Sequence, residues 1–397
     1  MSTTHVHVQT QTITTLAAAT LLGLPLGSIY AFSVLIAPLE YELQVTRSDL
    51  ASVFGISAVF FTVGANLSPR LFRRIRAASL VALTGALSAI GALLAALAPS
   101  LMWLILGYGV LFAVGGGMAY VTLQQCVNST PLTRPGLTNG YLVSLFPLGA
   151  LLAAPAFGVA LDGVGVRNTL VGLATVVAAA TLGASLLVVH AGVLSKPEPC
   201  MSSEEQAGLT AHLRVTFWKL FAVFFLAASA GLMVLSQAAA MLTTYGAGKS
   251  EALLGTTGIA GAIAGARLGG GWLIDRLPIP YVAAGAQCVA LFSATALAVL
   301  PSPSVAIISL GLIGVGYGVV SGVTSGAVAA YWPKVEFGRV ASRTYIAWCL
   351  AAIFLPVLAG RLYDLTAGYH TAILVAGGSN LLAVLVALTL PRQVRSQ

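Results

Sequence analysis

Twelve stretches of this chain are each long and apolar enough to cross a lipid bilayer, and that repetition restricts the fold more than any other feature. A helix needs about 20 apolar residues to span the hydrocarbon core. Windows of that kind fall at roughly 13–38, 48–69, 77–98, 101–128, 137–161, 167–192, 215–243, 252–274, 280–300, 303–330, 340–362 and 370–391. Backbone groups in hydrocarbon must be satisfied internally, which leaves helices or a closed barrel. Barrel strands would alternate polar and apolar residues, whereas these windows are continuously apolar, and the 43 glycines suit close-packed membrane helices. Only 8% of the 397 residues are charged and the mean hydropathy is +0.95, where a soluble domain carries charge on roughly a quarter of its residues. The expectation is an all-α, multi-pass membrane protein.

The one long polar stretch, near 193–214 and reading "GVLSKPEPCMSSEEQAGLTAHL" from Gly192 to Leu213, divides the windows into two sets of six. The expected organisation is a six-helix bundle over 1–192, a cytoplasmic linker over 193–214 and a second bundle over 215–397. The halves echo each other: "GVLFAVGGG" (109–117) parallels "GVGYGVVSG" (314–322), and "PAFGVALDGVGVRNT" (155–169) parallels "PVLAGRLYDLTAGYHT" (356–371). Basic residues set the orientation. With a cytoplasmic N-terminus, Arg70, Arg73, Arg74, Arg76, Arg134, Lys196, Arg214, Lys219, Arg276, Lys334, Arg339, Arg343, Arg392 and Arg395 lie inside, and Arg47, Arg167, Lys249 and Arg361 outside. That bias follows the positive-inside rule and places both termini in the cytoplasm, with the chain in the inner (plasma) membrane of the cell.

The net charge of +8 is therefore accounted for by short loops and does not point to nucleic acid. Cys126, Cys200, Cys288 and Cys349 have no paired or metal-type spacing, and the five histidines form no ligand cluster, so no metal is expected. No phosphate-binding loop of Walker type, nucleophile elbow or paired carboxylates are present, so neither ATP-driven transport nor an enzyme is expected, and no cofactor. The start, "MSTTHVHVQTQTITTLAAAT", has no Lys or Arg before the first apolar stretch and makes a poor cleavable signal.

Against this background one residue stands out. Arg267 lies deep in the eighth window, in "GIAGAIAGARLGGGWLIDRLP" (258–278), and a guanidinium in hydrocarbon is normally paired, facing water, or functional. The eleven acids fall at the outer face (Glu40, Glu42, Asp49, Asp162, Glu251, Asp364) or the inner face (Glu198, Glu204, Glu205, Asp275, Glu336). Asp275, eight residues on, is about 12 Å away along a helix. Gly261, Gly265 and Gly269 form a small-residue stripe suited to tight packing on a neighbour, and Arg267 lies about 160–200° around the helix from it. The side chain then points into a cavity, where a guanidinium fork suits a carboxylate. The alternative is an arginine that snorkels to the inner face or bonds to backbone carbonyls.

Several motifs carry a resemblance. "GWLIDR" (271–276), with Gly271, Asp275 and Arg276, resembles the cytoplasmic loop pattern of the major facilitator superfamily. After the second window the matching place reads "GANLSPRLFRR", where Pro69 replaces the acid while Arg70 and Arg73 remain. Such loops, here Arg70, Arg73, Asp275 and Arg276, would latch helix ends; plain obedience to the positive-inside rule explains the second-window loop equally well. "GSIYAFSVLIAPLEYELQVTRSDLASVFGI" (27–56), "AASAGLMVLSQ" (227–237) and "GARLGGGWLIDR" (265–276) resemble the oxalate/formate antiporter and monocarboxylate transporter group. The resemblance implies twelve helices in two pseudo-symmetric six-helix bundles with substrate between them near mid-membrane. It also implies a carboxylate carrier with Arg267 as anchor and Tyr30 and Tyr120 lining the pocket.

Two departures narrow that expectation. Where the oxalate/formate type carries a lysine in its eleventh helix, this chain has Trp348, in "YIAWCLAA" (345–352). One fixed cation beside an apolar wall favours a single carboxylate. Ile263 stands where animal proton-coupled relatives keep an Asp one turn before the arginine, so coupling to a proton or a counter-anion stays open. Trp348, well inside its span, needs a partner for its N–H and is read as pocket lining. Tyr120 serves pocket or packing equally well, Gln124 one turn on bonds a substrate or a neighbouring helix, Tyr345 lines the pocket or the cytoplasmic exit, and Gln237 is a polar residue buried in the seventh window. The resulting expectation is a transporter of small organic monocarboxylate anions working by alternating access as a single chain. A dicarboxylate exchanger, a drug-efflux pump and an anion-sensing transceptor are the alternatives.

Overall fold

The computed structural model describes residues 2–193, 203–366 and 368–392. Lys196, Glu198, Cys200 and Arg395, and with them the middle of the 193–214 stretch, lie outside the described residues. From Ser203 the polar stretch is already helical.

The chain opens with α1 (Ser2–Leu26), a 3₁₀ turn over Gly27–Ala31 and α2 (Phe32–Leu43). Pro25 lies inside α1 and has no N–H for the helix ladder, which fits the tightened turn that follows. Then come α3 (Arg47–Phe72) and α4 (Ala77–Ala96). Thr46 starts α3 with a reciprocal cap: its hydroxyl accepts from Asp49 N–H, and the Asp49 carboxylate accepts from the Thr46 N–H and hydroxyl. The fourth apolar window is a one-turn α5 (Leu101–Leu104), a π-helical segment over Ile105–Phe112, and α6 (Ala113–Asn128).

The longest helix, α7 (Pro135–His190), covers two expected windows. Gly165 breaks it, with φ 79° and ψ 172°, a backbone open to glycine and strained for other residues. The remainder is α8 (Ser203–Thr244), α9 (Lys249–Ile274), α10 (Ile279–Val299), α11 (Pro303–Tyr331), α12 (Lys334–Thr366) and α13 (His370–Leu388). Ten described segments are long and apolar enough to cross a membrane, the two arms of α7 counting as one. Helix α9, with Arg267 and its glycines, is as long but less hydrophobic. Large apolar side chains such as Val159, Leu182 and Phe292 are solvent-facing by 70% or more, the exterior of a chain whose solvent is lipid.

The described residues group into two compact units. The first takes those of Met1–Thr133, Leu145–Glu198 and Lys334–Tyr345, and the second those of Arg134–Ser144, Pro199–Pro333 and Ile346–Gln397. Each contains the same kind of joint. In the first, a Cβ at Gly117 would collide with the Phe61 carbonyl, and one at Gly64 with the Val114 carbonyl, so α3 and α6 meet backbone to backbone. In the second, a Cβ at Gly322 would collide with the Arg267 carbonyl and one at Gly270 with the Val319 carbonyl, joining α9 to α11.

This corrects the expected stripe. A Cβ at Gly261, Gly265 or Gly269 would meet nothing within 4 Å. The helix-packing glycines are instead Gly270 and Gly271 on α9 itself and, on α11, Gly314, Gly318, Gly322 and Gly326, one turn apart. The small-residue face of α9 looks into open space, and the opposite face, which carries Arg267, is the one turned into the protein.

Candidate functional site

The second unit builds its site around the Arg267 guanidinium. The residue is 6% exposed although its span is apolar. Its Nη1 donates to the Val143 carbonyl on α7 at 2.9 Å, and its Nη2 to the Tyr317 hydroxyl on α11 at 3.0 Å. Both acceptors are neutral. The guanidinium carbon also lies 5.5 Å from the centre of the Tyr317 ring, within cation–π range. Trp348 on α12 is buried and donates its indole N–H to the same Tyr317 hydroxyl at 3.0 Å.

Tyr317 is thus a node that the sequence reading passed over. Guanidinium and indole can only donate, so the phenol oxygen accepts twice and its own proton is directed to neither. Its ring is seated by Gly231 on α8, where a Cβ would collide with the tyrosine. Both residues lie in quoted stretches, "GVGYGVVSG" and "AASAGLMVLSQ"; a tyrosine amid helix-packing glycines at mid-span was the available signal. α7 approaches closely here, since a Cβ at Gly140 would come 2.8 Å from the Arg267 carbonyl. One turn on, the Ser144 hydroxyl donates to the Gly140 and Ala264 carbonyls at 2.7 and 3.2 Å.

Gln237, also in this unit, is half-buried and accepts from the Tyr369 hydroxyl at 3.1 Å. The Tyr369 ring lies 4.6 Å from that of Tyr363. Burial first, then Tyr363 and Asp364, raise the Tyr369 pKa above the usual phenol value, which keeps it a donor. Gln237 therefore belongs to a separate polar contact, apart from the hydrogen bonds of Arg267.

The first unit gathers a different set. Tyr120 on α6 is buried with its ring edge-to-face on Phe146 (5.0 Å) and Tyr345 (4.7 Å), and Phe61 is 5.8 Å away. Tyr345 is buried in this aromatic cluster. Gln124 is buried one turn beyond Tyr120, and its backbone carbonyl accepts from the Asn128 amide. Tyr30 stands half-buried in the 3₁₀ turn.

Of the loop residues, Arg70 and Arg73 are exposed at the end of α3. Asp275 does something specific: its two carboxylate oxygens accept from the Gly136 and Leu137 N–H groups, both at 2.8 Å. Those are orphan donors in the first turn of α7, where a negative charge also complements the helix dipole. Arg276 instead lies 3.9 Å over the Trp272 ring and donates to the Trp272 carbonyl.

Comparison with known proteins gives this geometry a setting. Residues 16–331 match the family model described as Major Facilitator Superfamily. A relative from Escherichia coli (strain K12), "Uncharacterized MFS-type transporter YhjX", is 25% identical over 291 residues, 70% of this chain and 69% of that protein. In fold, the chain resembles the proton:xylose symporter XylE bound to 6-bromo-6-deoxy-D-glucose (TM-score 0.71, 15% identity, 98% of this chain and 97% of that one). It also resembles FucP in the outward conformation (TM-score 0.73, 14% identity, 95% and 98%).

Proposed function

The chain belongs to the major facilitator superfamily, and from that premise we propose that it carries a small organic monocarboxylate anion across the membrane by alternating access. It is a membrane transporter rather than an enzyme. In this reading Arg267 grips the carboxylate, Tyr317 and Trp348 shape the site beside it, and Tyr30, Tyr120, Gln124 and Tyr345 line the aromatic remainder of the path. The halves 1–192 and 215–397 rock about the 193–214 linker, both termini are cytoplasmic in the plasma membrane, and the protein works as a single chain.

One observation supports the reading above the others. Arg267 is a buried guanidinium in an apolar span, held in a defined plane by a backbone carbonyl and a phenol. Keeping a cation there is costly, and a planar fork fixed by neutral acceptors is prepared for an anion that it can grip through parallel hydrogen bonds. Trp348, where a second cation would favour a dicarboxylate, is uncharged, and its one N–H is given to Tyr317. The solved structures of similar fold are named for xylose and fucose, and at 14–15% identity they lend the fold alone.

The test is counterflow of radiolabelled lactate in proteoliposomes, for the wild type and Arg267→Ala, with pyruvate, formate, oxalate, xylose and fucose as competitors. Competition by monocarboxylates that disappears with Arg267→Ala is the expected result. Flux competed by oxalate alone would favour the dicarboxylate exchanger. Indifference to every carboxylate would overturn the reading and favour a sugar, a hydrophobic drug or a sensing role.

A further inference from the structure

A proline inside a helix withdraws one hydrogen bond at a predictable address. In an α-helix the N–H of residue i bonds the carbonyl of i−4, so Pro147, inside α7, has no N–H to return to Val143. Val143 is fully buried, so water is not at hand to take that place. The Val143 carbonyl is the group to which Arg267 Nη1 donates. The helix defect and the arginine's acceptor coincide.

We propose that Pro147 is a positioning residue for the anion site: by withholding the helix bond it presents the Val143 carbonyl as the acceptor that fixes the Arg267 guanidinium. The inference rests on the reading of Arg267 as the anion's anchor, and it explains how that anchor is oriented. An arginine stem has several rotatable bonds, and ordering them on binding costs affinity. Acceptors on two helices, Val143 on α7 and Tyr317 on α11, hold the two Nη groups before an anion arrives. With an N–H at position 147 the Val143 oxygen would be drawn back toward its own helix axis and shared, leaving Tyr317 as the firmer of the two holds. The rest of the α7 surface agrees with this role. Gly140, Val143 and Ser144, spaced i, i+3 and i+4, all meet α9, at the Arg267 carbonyl, the guanidinium and the Ala264 carbonyl.

Two measurements on the full chain test the proposal. In lactate counterflow, Pro147→Ala should raise KM roughly tenfold, the loss of about one charge-assisted hydrogen bond, with the maximal rate within about twofold. A variant carrying lactic acid at position 147 has neither the proline ring nor an N–H, because an ester oxygen replaces the amide, and it should return KM toward the wild-type value. An ester variant that behaves like Pro147→Ala would overturn the proposal in favour of the ring, and so would an unchanged KM in Pro147→Ala. The second measurement needs no substrate: melting temperatures in detergent for Pro147→Ala and Arg267→Met, singly and together. Alanine should lower Tm when Arg267 is present and raise it in the Arg267→Met background, where the helix bond is regained with no guanidinium to displace. Additive changes in Tm would overturn the proposal whether or not a carboxylate is carried. A wild type that moves no carboxylate, with the Tm coupling intact, would sink the substrate reading while supporting the Pro147–Arg267 link.

Discussion

Phe61 and Arg267 hold the same station in two copies of one joint. The Phe61 carbonyl lies against Gly117 and the Arg267 carbonyl against Gly322, and the glycines are 205 residues apart, the offset of the echo between 109–117 and 314–322. The companion contacts repeat as well, Gly64 against Val114 and Gly270 against Val319. On this shared backbone frame the first unit places a phenyl ring among Tyr120 and Phe146, and the second places a cation among Val143, Tyr317 and Trp348. The units are thus alike in scaffold and opposite in chemistry.

Tyr317→Phe should reveal the node. It removes the oxygen that accepts from both Arg267 and Trp348 and leaves two buried donors to find other partners. The expected cost is about 1–3 kcal/mol in stability, visible as a lower Tm, with a rise in lactate KM of roughly tenfold or more. Equal Tm and KM in the two proteins would count against the node.

Trp348→Lys tests what sets the number of charges on the substrate. A second cation beside Tyr317 should bring oxalate in as a competitor while weakening lactate, in the same counterflow assay. Exclusion of oxalate by the lysine variant would mean that charge at position 348 does not select the anion.

Arg267→Lys separates charge from shape. Lysine keeps the cation and loses the planar fork that spans Val143 and Tyr317. Lactate transport should fall by about tenfold or more, roughly the worth of a charge-assisted hydrogen bond. Wild-type transport in this variant would sink the bidentate grip.

Two glycine faces of α9 and α11 predict opposite outcomes for one small change. Gly322→Ala forces a methyl into the Arg267 carbonyl and should destabilise by several kcal/mol or prevent folding. Gly265→Ala meets open space and should raise stability by up to about 1 kcal/mol through helix propensity. Melting temperatures of the two variants check the assignment of the packing face.

Asp275→Asn addresses the cap on α7. The amide keeps one acceptor oxygen for the Gly136 and Leu137 N–H groups and loses the charge, at an expected cost of about 0.5–2 kcal/mol. Hydrogen exchange at the first turn of α7 should quicken; unchanged exchange would show that the carboxylate does not hold that turn.

How much of this was legible beforehand follows from what each signal measures. Hydropathy reads the cost of leaving water, so the apolar spans and the anomaly of Arg267 were visible directly. The break near Gly165 was visible too, since the apolar windows stop at 161 and resume at 167 across Asp162; its positive φ was not, because several glycines there could have carried it. The periodicity of Gly261, Gly265 and Gly269 identified a face of α9 but not what lies against it. The stripe was assigned to packing, whereas the packing glycines are Gly270 and Gly271 beside it and those of α11. The opposite placement of Arg267 still followed, since the angle between the two faces is fixed by helix geometry. Tyr317 was hidden by its surroundings, one aromatic residue in a glycine-rich run, and its role needs α9 and α12 to be brought to it. Val143 carries no side-chain signal at all, because its contribution is a carbonyl released by a residue four places away.

The glycines of α11 recur at Gly314, Gly318, Gly322 and Gly326, four residues apiece. Four residues are about 6 Å of helix, so a shift of α11 by one such step would bring glycine under α9 again at most of the same stations. A single glycine would make a socket with one setting. Four in file make a rack, on which the register of the two helices is written in equal increments, and the Tyr317 hydroxyl, one residue before Gly318, travels with it.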